Sequence, residues 1–491
     1  MESDCNKTKY AIDSGKGVAV LYDDINCKPN ESPQNGTQCS KRESAMKKYN
    51  VVVIGGGPAG VQSAISARNT NPDKSIALIR KESVALIPCG IPYTMHSLNS
   101  VAEDILPDAL LEKNNIDIIH GEVEGRDGKT LKIRDGSEVG FDKLVLAAGS
   151  IPIKPPIPGI ELDNIYVLSK DYECLQKMRE EINTARNIAI VGGGYVGVEL
   201  ADELVKKNIS VTLIEKMPGL LPASVDQEFG NIVQAELENQ GVKVITNVGV
   251  KGFFDSGKNT KVELEDGDSR EFDHVIISIG FKPDMRLARK FGLELNEDYG
   301  IIVDEYMKTS DDDIFAAGDC VAKRSYLSGD FRRIMLASTA MSQGRLAGSN
   351  LFSINILKVF HGTLGSFATK VGNIAVGATG LTEMRTKAMK IEYCAGIAES
   401  VDRHPGKLRN ASKMRVKLIF AKNSHILLGA QVSGGDSVGE CINMLSVMIQ
   451  KNMTDMEIDT LQIGTHPLLT PSPLAYGVIN ATVDAIMKWY K

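Results

Sequence analysis

The chain has 491 residues, a formal net charge of −6 and 43% hydrophobic residues, which predicts two to four domains with real hydrophobic cores. The acidic balance gives no sign of a nucleic-acid partner, no apolar run reaches the ~18 residues of a membrane span, and no secretory signal is visible. Eight scattered cysteines without CxxC spacing predict a reduced, cytoplasmic protein, and seven histidines without ligand spacing predict no metal.

The first 47 residues are polar and lack periodicity apart from a short apolar patch. Such a segment cannot bury enough apolar surface to fold alone. We therefore expect residues 1–47 to be a disordered or loosely attached extension.

A nucleotide-binding pattern begins directly afterwards. Residues 49–54 are a β-branched run, a glycine-rich turn follows, and residues 61–68 read as a helix. A GxGxxG turn between a strand and a helix is the dinucleotide fingerprint: its first glycine makes the turn, its second admits the pyrophosphate and its third lets helix and strand pack closely. The predicted cofactor contacts are Gly55, Gly57, Pro58, Ala59 and Gly60.

The next strand, residues 75–79, departs from this pattern. An acid for the ribose hydroxyls is expected at its end, but the chain has Arg80 and Lys81 there, with Glu82 afterwards. The ribose is therefore held either by Glu82 or by the backbone and Arg80.

A cysteine turn follows, Pro88-Cys89-Gly90-Ile91-Pro92-Tyr93. Glycine lets the backbone approach a planar ligand and proline fixes φ, so the turn is suited to hold a thiol against a flavin. The alternative is a buried structural cysteine. Residues 101–115 then predict a helix, residues 116–119 and 121–123 short strands, residues 143–150 a strand ending in small residues, and the proline-rich residues 151–159 a domain boundary.

A second nucleotide-binding unit repeats the first. Residues 187–191 predict a strand, a second glycine turn opens a helix, and the strand 210–215 ends in Glu215, 23 residues after Gly192. A carboxylate at this spacing binds ribose hydroxyls and repels a 2′-phosphate, which favours NADH, although Lys216 weakens this preference. The predicted contacts here are Gly192, Gly194, Tyr195, Val196, Gly197 and Glu215.

The second half of the nucleotide-binding region adds further contacts. Residues 272–280 mirror residues 141–149, and a buried strand at 314–317 runs into Gly318 and Asp319, whose carboxylate suits a ribityl or sugar hydroxyl. A small-residue helix over 337–348 begins at Ala337, where its dipole favours an electron-rich flavin edge.

Residues 356–491 lack nucleotide motifs. Strands are predicted at 363–380 and 411–434 with turns at Gly372-Asn373 and Lys422-Asn423, and helices at 437–450 and 474–490. His466, in a Thr-His-Pro turn, is either a catalytic acid–base group or a structural hydrogen-bonding histidine.

From Met46 to its end the chain resembles the two-dinucleotide flavoprotein disulfide reductases. The motifs GGGPAG, CGIPY, AAGSIP, GGGYVGVE, SIGFKPD and IFAAGDC occur in the family's order. The CxxxxC pair of ordinary members is absent because Thr94 stands at the second position. The chain is therefore similar to the single-cysteine branch, which contains coenzyme A disulfide reductases, persulfide and polysulfide reductases, NADH oxidases and NADH peroxidase. The resemblance to the peroxidase is the weakest, because Pro58 and Ala59 stand where that enzyme has a histidine.

The resemblance implies an α/β fold with two Rossmann-like domains and a C-terminal α+β dimerisation domain, as in glutathione reductase. It implies FAD and NADH as cofactors, with NADPH as an alternative, and a homodimer or higher oligomer. The implied domains are an extension at 1–47, an FAD domain at 48–160 and 288–355, an NAD(P)H domain at 161–287 and an interface domain at 356–491. Additional implied cofactor contacts are Arg80, Lys81, Val123, Ala148, Gly149, Gly280, Gly318, Asp319 and Ala337.

The resemblance also implies a function. Electrons pass from NAD(P)H through the flavin to Cys89 and on to a disulfide, persulfide or polysulfide, with Tyr195 as a gate over the nicotinamide pocket. His466 of the partner subunit would protonate the leaving thiol, although the family's orienting glutamate is replaced by Pro471. The alternatives are an NADH oxidase that reduces oxygen at the flavin and a low-turnover redox-sensing flavoprotein.

Overall fold

The computed structural model describes residues 46–489. The predicted extension at 1–47 therefore lies outside the described residues, apart from its last two residues.

The strand Lys47–Ile54 is the centre of the first sheet. The strand pairs in parallel with Ile76–Arg80 on one side and Glu138–Leu146 on the other. Its Val51, Val52 and Val53 are fully buried, as expected for a parallel strand covered on both faces. The other strands of this sheet are Asp117–His120, Ile314–Ala316, Thr130–Ile133 and Val123–Asp127.

The second sheet is parallel and contains the second glycine unit. Its strand order is Ile165–Val167, His274–Ile277, Asn187–Val191, Ser210–Ile214 and Lys243–Ile245. An antiparallel sheet follows, built from Val250–Ser256, Asn259–Leu264 and Ser269–Phe272. In the first nucleotide-binding unit the strand Lys47–Ile54 leads through the glycine turn into the helix Pro58–Thr70, and in the second the strand Asn187–Val191 leads into the helix Tyr195–Val205. Both units therefore form the strand, turn and helix that the sequence predicts.

The third sheet is antiparallel and lies in the C-terminal part of the chain. The predicted strands and the turn at Gly372-Asn373 are confirmed, whereas the strand Tyr393–Val401 was not predicted. The helices Val438–Gln450 and Gly477–Trp489 pack on this sheet. Its strand order is Phe367–Val371, Ile374–Gly380, Leu427–Gly434, Lys413–Ala421 and Tyr393–Val401.

Helices and short strand pairs complete the described part of the chain. The α-helices are Pro58–Thr70, Ala109–Lys113, Tyr172–Ile182, Tyr195–Val205, Gln227–Asn239, Arg286–Lys290, Ala337–Ser349, Glu383–Ala388, Val438–Gln450, Asp455–Asp459 and Gly477–Trp489. The short strand pairs are Ala85–Leu86 with Ile105–Leu106, Ser150–Pro152 with Phe281–Pro283, Leu295–Asn296 with Gly300–Ile301, and Lys323–Arg324 with Phe331–Arg332. Within residues 46–489 no helix is long and apolar enough to cross a membrane.

The predicted helix over residues 101–115 is wrong. The structure has a 3₁₀ turn at Val101–Asp104, the strand Ile105–Leu106 and only then the helix Ala109–Lys113. The physical reason is Pro107, because proline pushes the residue before it into the extended region and offers no backbone donor. The consequence is that Asp104 packs against the cysteine turn, as described below.

Candidate active site

Both glycine turns and the cysteine turn line one cavity of about 2110 Å³. Three of the predicted site residues, Gly60, Gly197 and His466, are not among its lining residues. The predicted residues that do line it are Gly55, Gly57, Pro58, Ala59, Arg80, Lys81, Cys89, Val123, Ala148, Gly149, Gly192, Gly194, Tyr195, Val196, Glu215, Gly280, Gly318, Asp319 and Ala337. The structure thus brings together residues that the sequence places up to 282 positions apart, counting from Gly55 to Ala337.

The first glycine turn has the geometry of a dinucleotide cradle. Gly55 has a φ of +115°, and a Cβ on Gly60 would lie 1.9 Å from the Gly55 carbonyl oxygen, so both positions require glycine. A Cβ on Gly57 would meet no protein atom within 4 Å and would project into open space. Gly60 therefore allows the helix to pack closely against the turn that follows the strand. Gly57 leaves open space in front of the helix N-terminus, and this space fits a bound pyrophosphate.

The second glycine turn repeats this geometry. Gly192 has a φ of +111°, and a Cβ on Gly197 would lie 1.9 Å from the Gly192 carbonyl oxygen. A Cβ on Gly194 would again meet nothing within 4 Å. The two turns therefore fit two dinucleotides, one for each parallel sheet.

Arg80 occupies the place where a ribose-binding acid is expected. Its guanidinium is buried and donates from Nη1 and Nη2 to Asp108 Oδ1 and Oδ2, both at 2.6 Å. The Arg80 side chain also packs beside Gly56, where a Cβ would lie 2.8 Å from its Cδ. The positive charge of Arg80 is thus already matched by Asp108, a residue that sequence reasoning missed because Asp108 is 28 positions away and belongs to no motif.

Glu215 is fixed by the second glycine turn. Its Oε2 accepts a hydrogen bond from the Gly193 amide at 2.6 Å and its Oε1 accepts one from the Met217 amide at 2.7 Å. Each carboxylate oxygen has a further lone pair, and the residue lines the cavity. The carboxylate is therefore held in one orientation and can still accept ribose hydroxyls.

Cys89 is exposed within a rigid turn. It lies directly before Gly90, whose amide donates to the Ile87 carbonyl at 2.8 Å and whose carbonyl accepts from the Tyr93 amide at 3.0 Å. A Cβ on Gly90 would lie 1.8 Å from Asp104 Oδ1, so the close approach of Asp104 requires glycine here. The exposure of Cys89 contradicts the alternative of a buried structural cysteine.

Asp104 is a buried carboxyl beneath this turn. Its Oδ2 makes no hydrogen bond, and burial raises the pKa of the Asp104 carboxyl to about 6. No sequence motif indicated this residue, because its approach to Gly90 depends on the break that Pro107 introduces.

Tyr195 and Glu199 project from the helix that opens at the second turn. The hydroxyl of Tyr195 accepts a hydrogen bond from Ser224 Oγ at 2.5 Å, and its ring packs against Phe367, with 4.6 Å between the ring centroids. Glu199 Oε1 accepts from Thr369 Oγ1 at 2.7 Å. Burial raises the pKa of Glu199 to about 7, with the Thr369 hydrogen bond acting in the opposite direction.

The raised pKa of Glu199 predicts a pH-dependent stability. A rise from 4.5 to about 7 corresponds to about 3 kcal/mol between the two protonation states. Because the folded protein favours the protonated form, Glu199 contributes stability below pH 4.5 that is lost as pH rises through about 7. Glu199→Gln removes this loss, so the variant's melting temperature should rise relative to the parent between pH 5 and pH 8. A pH-independent difference between the two melting curves would contradict the assignment.

Asp319 belongs to a polar network that was only partly predicted. Its Oδ2 accepts from Ser150 Oγ at 2.9 Å and lies 3.4 Å from Lys170 Nζ, and Lys170 also donates to Ser150 Oγ at 2.8 Å. The buried Lys323 donates to the Gly318 carbonyl at 2.8 Å, which fixes the turn before Asp319. Both Ser150 and Lys170 line the cavity. Ser150 belongs to the AAGSIP motif, whereas Lys170 belongs to no motif and is revealed only by its tertiary pairing.

His466 lies in an exposed loop that does not line the cavity of its own chain. Its Nδ1 accepts a hydrogen bond from the Leu468 amide at 3.2 Å, so the neutral ring carries its proton on Nε2. Three strongly exposed leucines follow it, Leu468, Leu469 and Leu474. Its predicted action in the site of a partner subunit stays a prediction.

One group of three carboxylates among the described residues has a spacing that could hold a metal ion: Asp226, Glu228 and Glu383. The ammonium of Lys417 bonds to all three, at 2.9, 2.6 and 2.6 Å. A buried cation therefore already balances this group, which joins the second sheet's helix to the C-terminal sheet.

The sequence matches the pyridine nucleotide-disulphide oxidoreductase family over residues 49–344 and that family's dimerisation domain over residues 366–474. The chain belongs to this family. The predicted fold class, the assignment as a flavoprotein oxidoreductase and the cofactors FAD and NAD(P)H are thereby confirmed. The observed glycine cradles fit both cofactors.

The relatives' names state different activities. A protein from Methanocaldococcus jannaschii named NADH oxidase is 32% identical over 454 residues, covering 89% of this chain and 98% of that protein. A NAD-dependent persulfide reductase from A. fulgidus is 33% identical with a TM-score of 0.83, covering 89% and 83% of the two chains. An engineered water-forming NADPH oxidase, derived from the NADH oxidase of Lactobacillus brevis, is 26% identical with a TM-score of 0.82, covering 90% and 99%.

Proposed function

We propose that this protein oxidises NADH and reduces a disulfide, persulfide or polysulfide through the single thiol of Cys89. The observation that carries the proposal is the exposed Cys89 in a rigid turn of the cavity that both glycine cradles line. Among the described residues lining that cavity, Cys89 is the only cysteine. A relay that must exchange sulfur bonds with a substrate needs such an accessible thiol.

The roles of the chain's residues follow from their positions. The first glycine cradle and Asp319 hold FAD, and the second cradle and Glu215 hold the nicotinamide dinucleotide. When bound, FAD supplies the two-electron exchange between NADH and the sulfur centre. We assign residues 48–160 and 288–355 to FAD binding, 161–287 to NAD(P)H binding and 356–491 to the subunit interface.

The sulfur chemistry balances with one NADH and one proton for each substrate disulfide. The Cys89 thiolate attacks one substrate sulfur, forms a mixed disulfide and releases the other sulfur as a thiolate, which takes up a proton. Two electrons from NADH then break the mixed disulfide, releasing the second thiol and restoring Cys89 as a thiolate. The Pro88 and Gly90 backbone holds this sulfur at the cavity wall throughout.

Dimerisation completes the site in this proposal. The dimerisation domain supports a homodimer, and the exposed Leu468, Leu469 and Leu474 beside His466 offer apolar surface for a partner. His466 of the partner subunit would then bring its Nε2 proton to the leaving sulfur.

An NADH oxidase is the second candidate, and the 32% identity to the archaeal NADH oxidase favours it. Oxygen can react without a sulfur substrate, so the two activities separate experimentally. The purified protein should be assayed anaerobically with NADH and coenzyme A disulfide, a coenzyme A persulfide or polysulfide, and then aerobically without sulfur. Anaerobic turnover faster than oxygen consumption supports the proposal; oxygen consumption alone supports the oxidase, and negligible turnover with either acceptor supports a redox sensor.

The coenzyme is proposed to be NADH. The engineered NADPH oxidase has five substitutions, which replace in chain order a glycine, an aspartate, an alanine, a methionine and a proline. Each replaced position follows the one before it by 18, 1, 1 and 5 positions, and arginine is introduced at the alanine and at the proline. The same spacings in this chain select Gly197, Glu215, Lys216, Met217 and Pro222. Glu215 thus matches the aspartate that the engineered NADPH oxidase replaces by alanine. An acid retained at this position supports the use of NADH.

Glu215→Ala should therefore raise the KM for NADH by about tenfold, the usual worth of hydrogen bonds to a charged group. The reason is that the ribose hydroxyls lose their acceptor and the Gly193 and Met217 amides lose their partner. Steady-state kinetics with both coenzymes measure this. Equal use of NADPH and NADH by the unaltered protein would contradict the assignment.

A further inference from the structure

The residue after Glu215 is Lys216, and its charge is paired with Glu265, which lies in the turn after the strand Asn259–Leu264. Lys216 Nζ lies 2.8 Å from Glu265 Oε1. Glu215, Lys216 and Glu265 all line the active-site cavity. A cation directly after the ribose-binding acid is the type of group that accommodates a 2′-phosphate, so an unpaired Lys216 would favour NADPH.

Glu265 is held in place from a second direction. Its Oε2 accepts a hydrogen bond from the Gly249 amide at 3.3 Å, and its own amide donates to the Gly249 carbonyl at 2.9 Å. A Cβ at position 249 would lie 2.7 Å from the carboxyl carbon of Glu265, so glycine admits this approach. Exposed ion pairs between two free side chains contribute little, but this carboxylate is positioned by backbone on one side and Lys216 on the other.

We propose that Glu265 is a specificity-determining residue that excludes NADPH by occupying Lys216. The inference rests on the proposed use of NADH. With Glu265 in place, a 2′-phosphate meets two carboxylates and a lysine that is already paired. Without Glu265, the phosphate meets one carboxylate and a lysine with free donors, while the ribose hydroxyls of NADH still reach Glu215.

The hydrogen bond from Lys216 also lowers the pKa of Glu265, so the carboxylate stays charged throughout the neutral range. Selectivity that depends on this charge is therefore expected to be constant between pH 6 and pH 8. It should weaken at high salt, since the pair is exposed to solvent and screened.

The test compares the selectivity for NADPH over NADH among four variants of the full-length holoenzyme. Glu265→Gln should raise the ratio of the second-order rate constant for flavin reduction by NADPH to that by NADH about tenfold, the effect of one charged hydrogen bond gained by the phosphate. Adding Lys216→Ala to Glu265→Gln should abolish this gain, because the freed cation is then missing. Lys216→Ala alone should change the ratio little, because the lysine is already neutralised.

Glu263→Gln is the matched control. Glu263 pairs with Lys251 at 2.6 Å across the same antiparallel sheet, but neither residue lines the cavity. The loss of one surface carboxylate close to Glu265 in sequence should leave the ratio unchanged. A shift as large as that of Glu265→Gln would show a general charge effect and would overturn the proposal.

The readout is the anaerobic rate at which each coenzyme bleaches the flavin absorbance, so no sulfur substrate is needed. Failure of the sulfur reductase proposal therefore leaves this test intact. An unchanged ratio in Glu265→Gln, or a gain that persists after Lys216→Ala is added, would overturn the role of Glu265. A gain that depends on Lys216 would establish it.

Discussion

Cys89→Ser is expected to abolish disulfide, persulfide and polysulfide reduction, lowering turnover by at least about a thousandfold. The serine hydroxyl is not ionised at neutral pH and cannot form a mixed disulfide, so the sulfur exchange loses the one thiol among the described residues that line the cavity. NADH should still bleach the flavin in this variant, because both glycine cradles are untouched. Measured oxygen consumption should persist for the same reason.

Cys174→Ser provides the control for this prediction. Cys174 is also an exposed free thiol, but it does not line the cavity. Its replacement should leave sulfur reduction unchanged. If Cys89→Ser retained most of the parent's activity with sulfur substrates, the relay role of Cys89 would be wrong.

Gly57→Val is expected to yield a folded protein with little FAD. A side chain at this position meets no protein atom within 4 Å and requires no change of φ, so the fold has room for it. It would instead occupy the space in which the pyrophosphate is expected to approach the helix N-terminus. FAD content per subunit, measured by absorbance after purification, should fall at least about tenfold.

Gly125→Val tests whether this loss is specific. Gly125 lies in the strand Val123–Asp127, where an added side chain also meets no atom within 4 Å, and it does not line the cavity. Its substitution should leave the FAD content intact. A Gly57→Val protein that retained one FAD per subunit would place the cofactor elsewhere.

Local patterns made both glycine cradles predictable. Gly60 and Gly197 are required by contacts with the glycine five positions earlier, and Gly55 and Gly192 by their positive φ, so the motif carries much of its own geometry. The cysteine turn was predictable for the same reason. The apolar pattern over 101–115 does not form one helix because Pro107 holds Leu106 in the extended region.

Contacts between distant segments could not be read from the sequence. Thr369 reaches Glu199 across 170 positions, Lys170 reaches Asp319 across 149, and Glu265 reaches Lys216 across 49. Each pair joins elements whose relative placement depends on the whole packed chain. Their residue types are common on surfaces, so no local signal distinguishes them.

The most direct test of the central claim is an anaerobic NADH titration of the purified enzyme. An oxidised Cys89 acting together with FAD accepts about four electrons per subunit, or about two NADH, whereas FAD alone accepts about two electrons. We expect the larger uptake, the release of a small thiol if Cys89 begins as a mixed disulfide, and an uptake of about one NADH in Cys89→Ser. An uptake of about one NADH by the unaltered enzyme, together with full sulfur reductase activity in Cys89→Ser, would contradict the account.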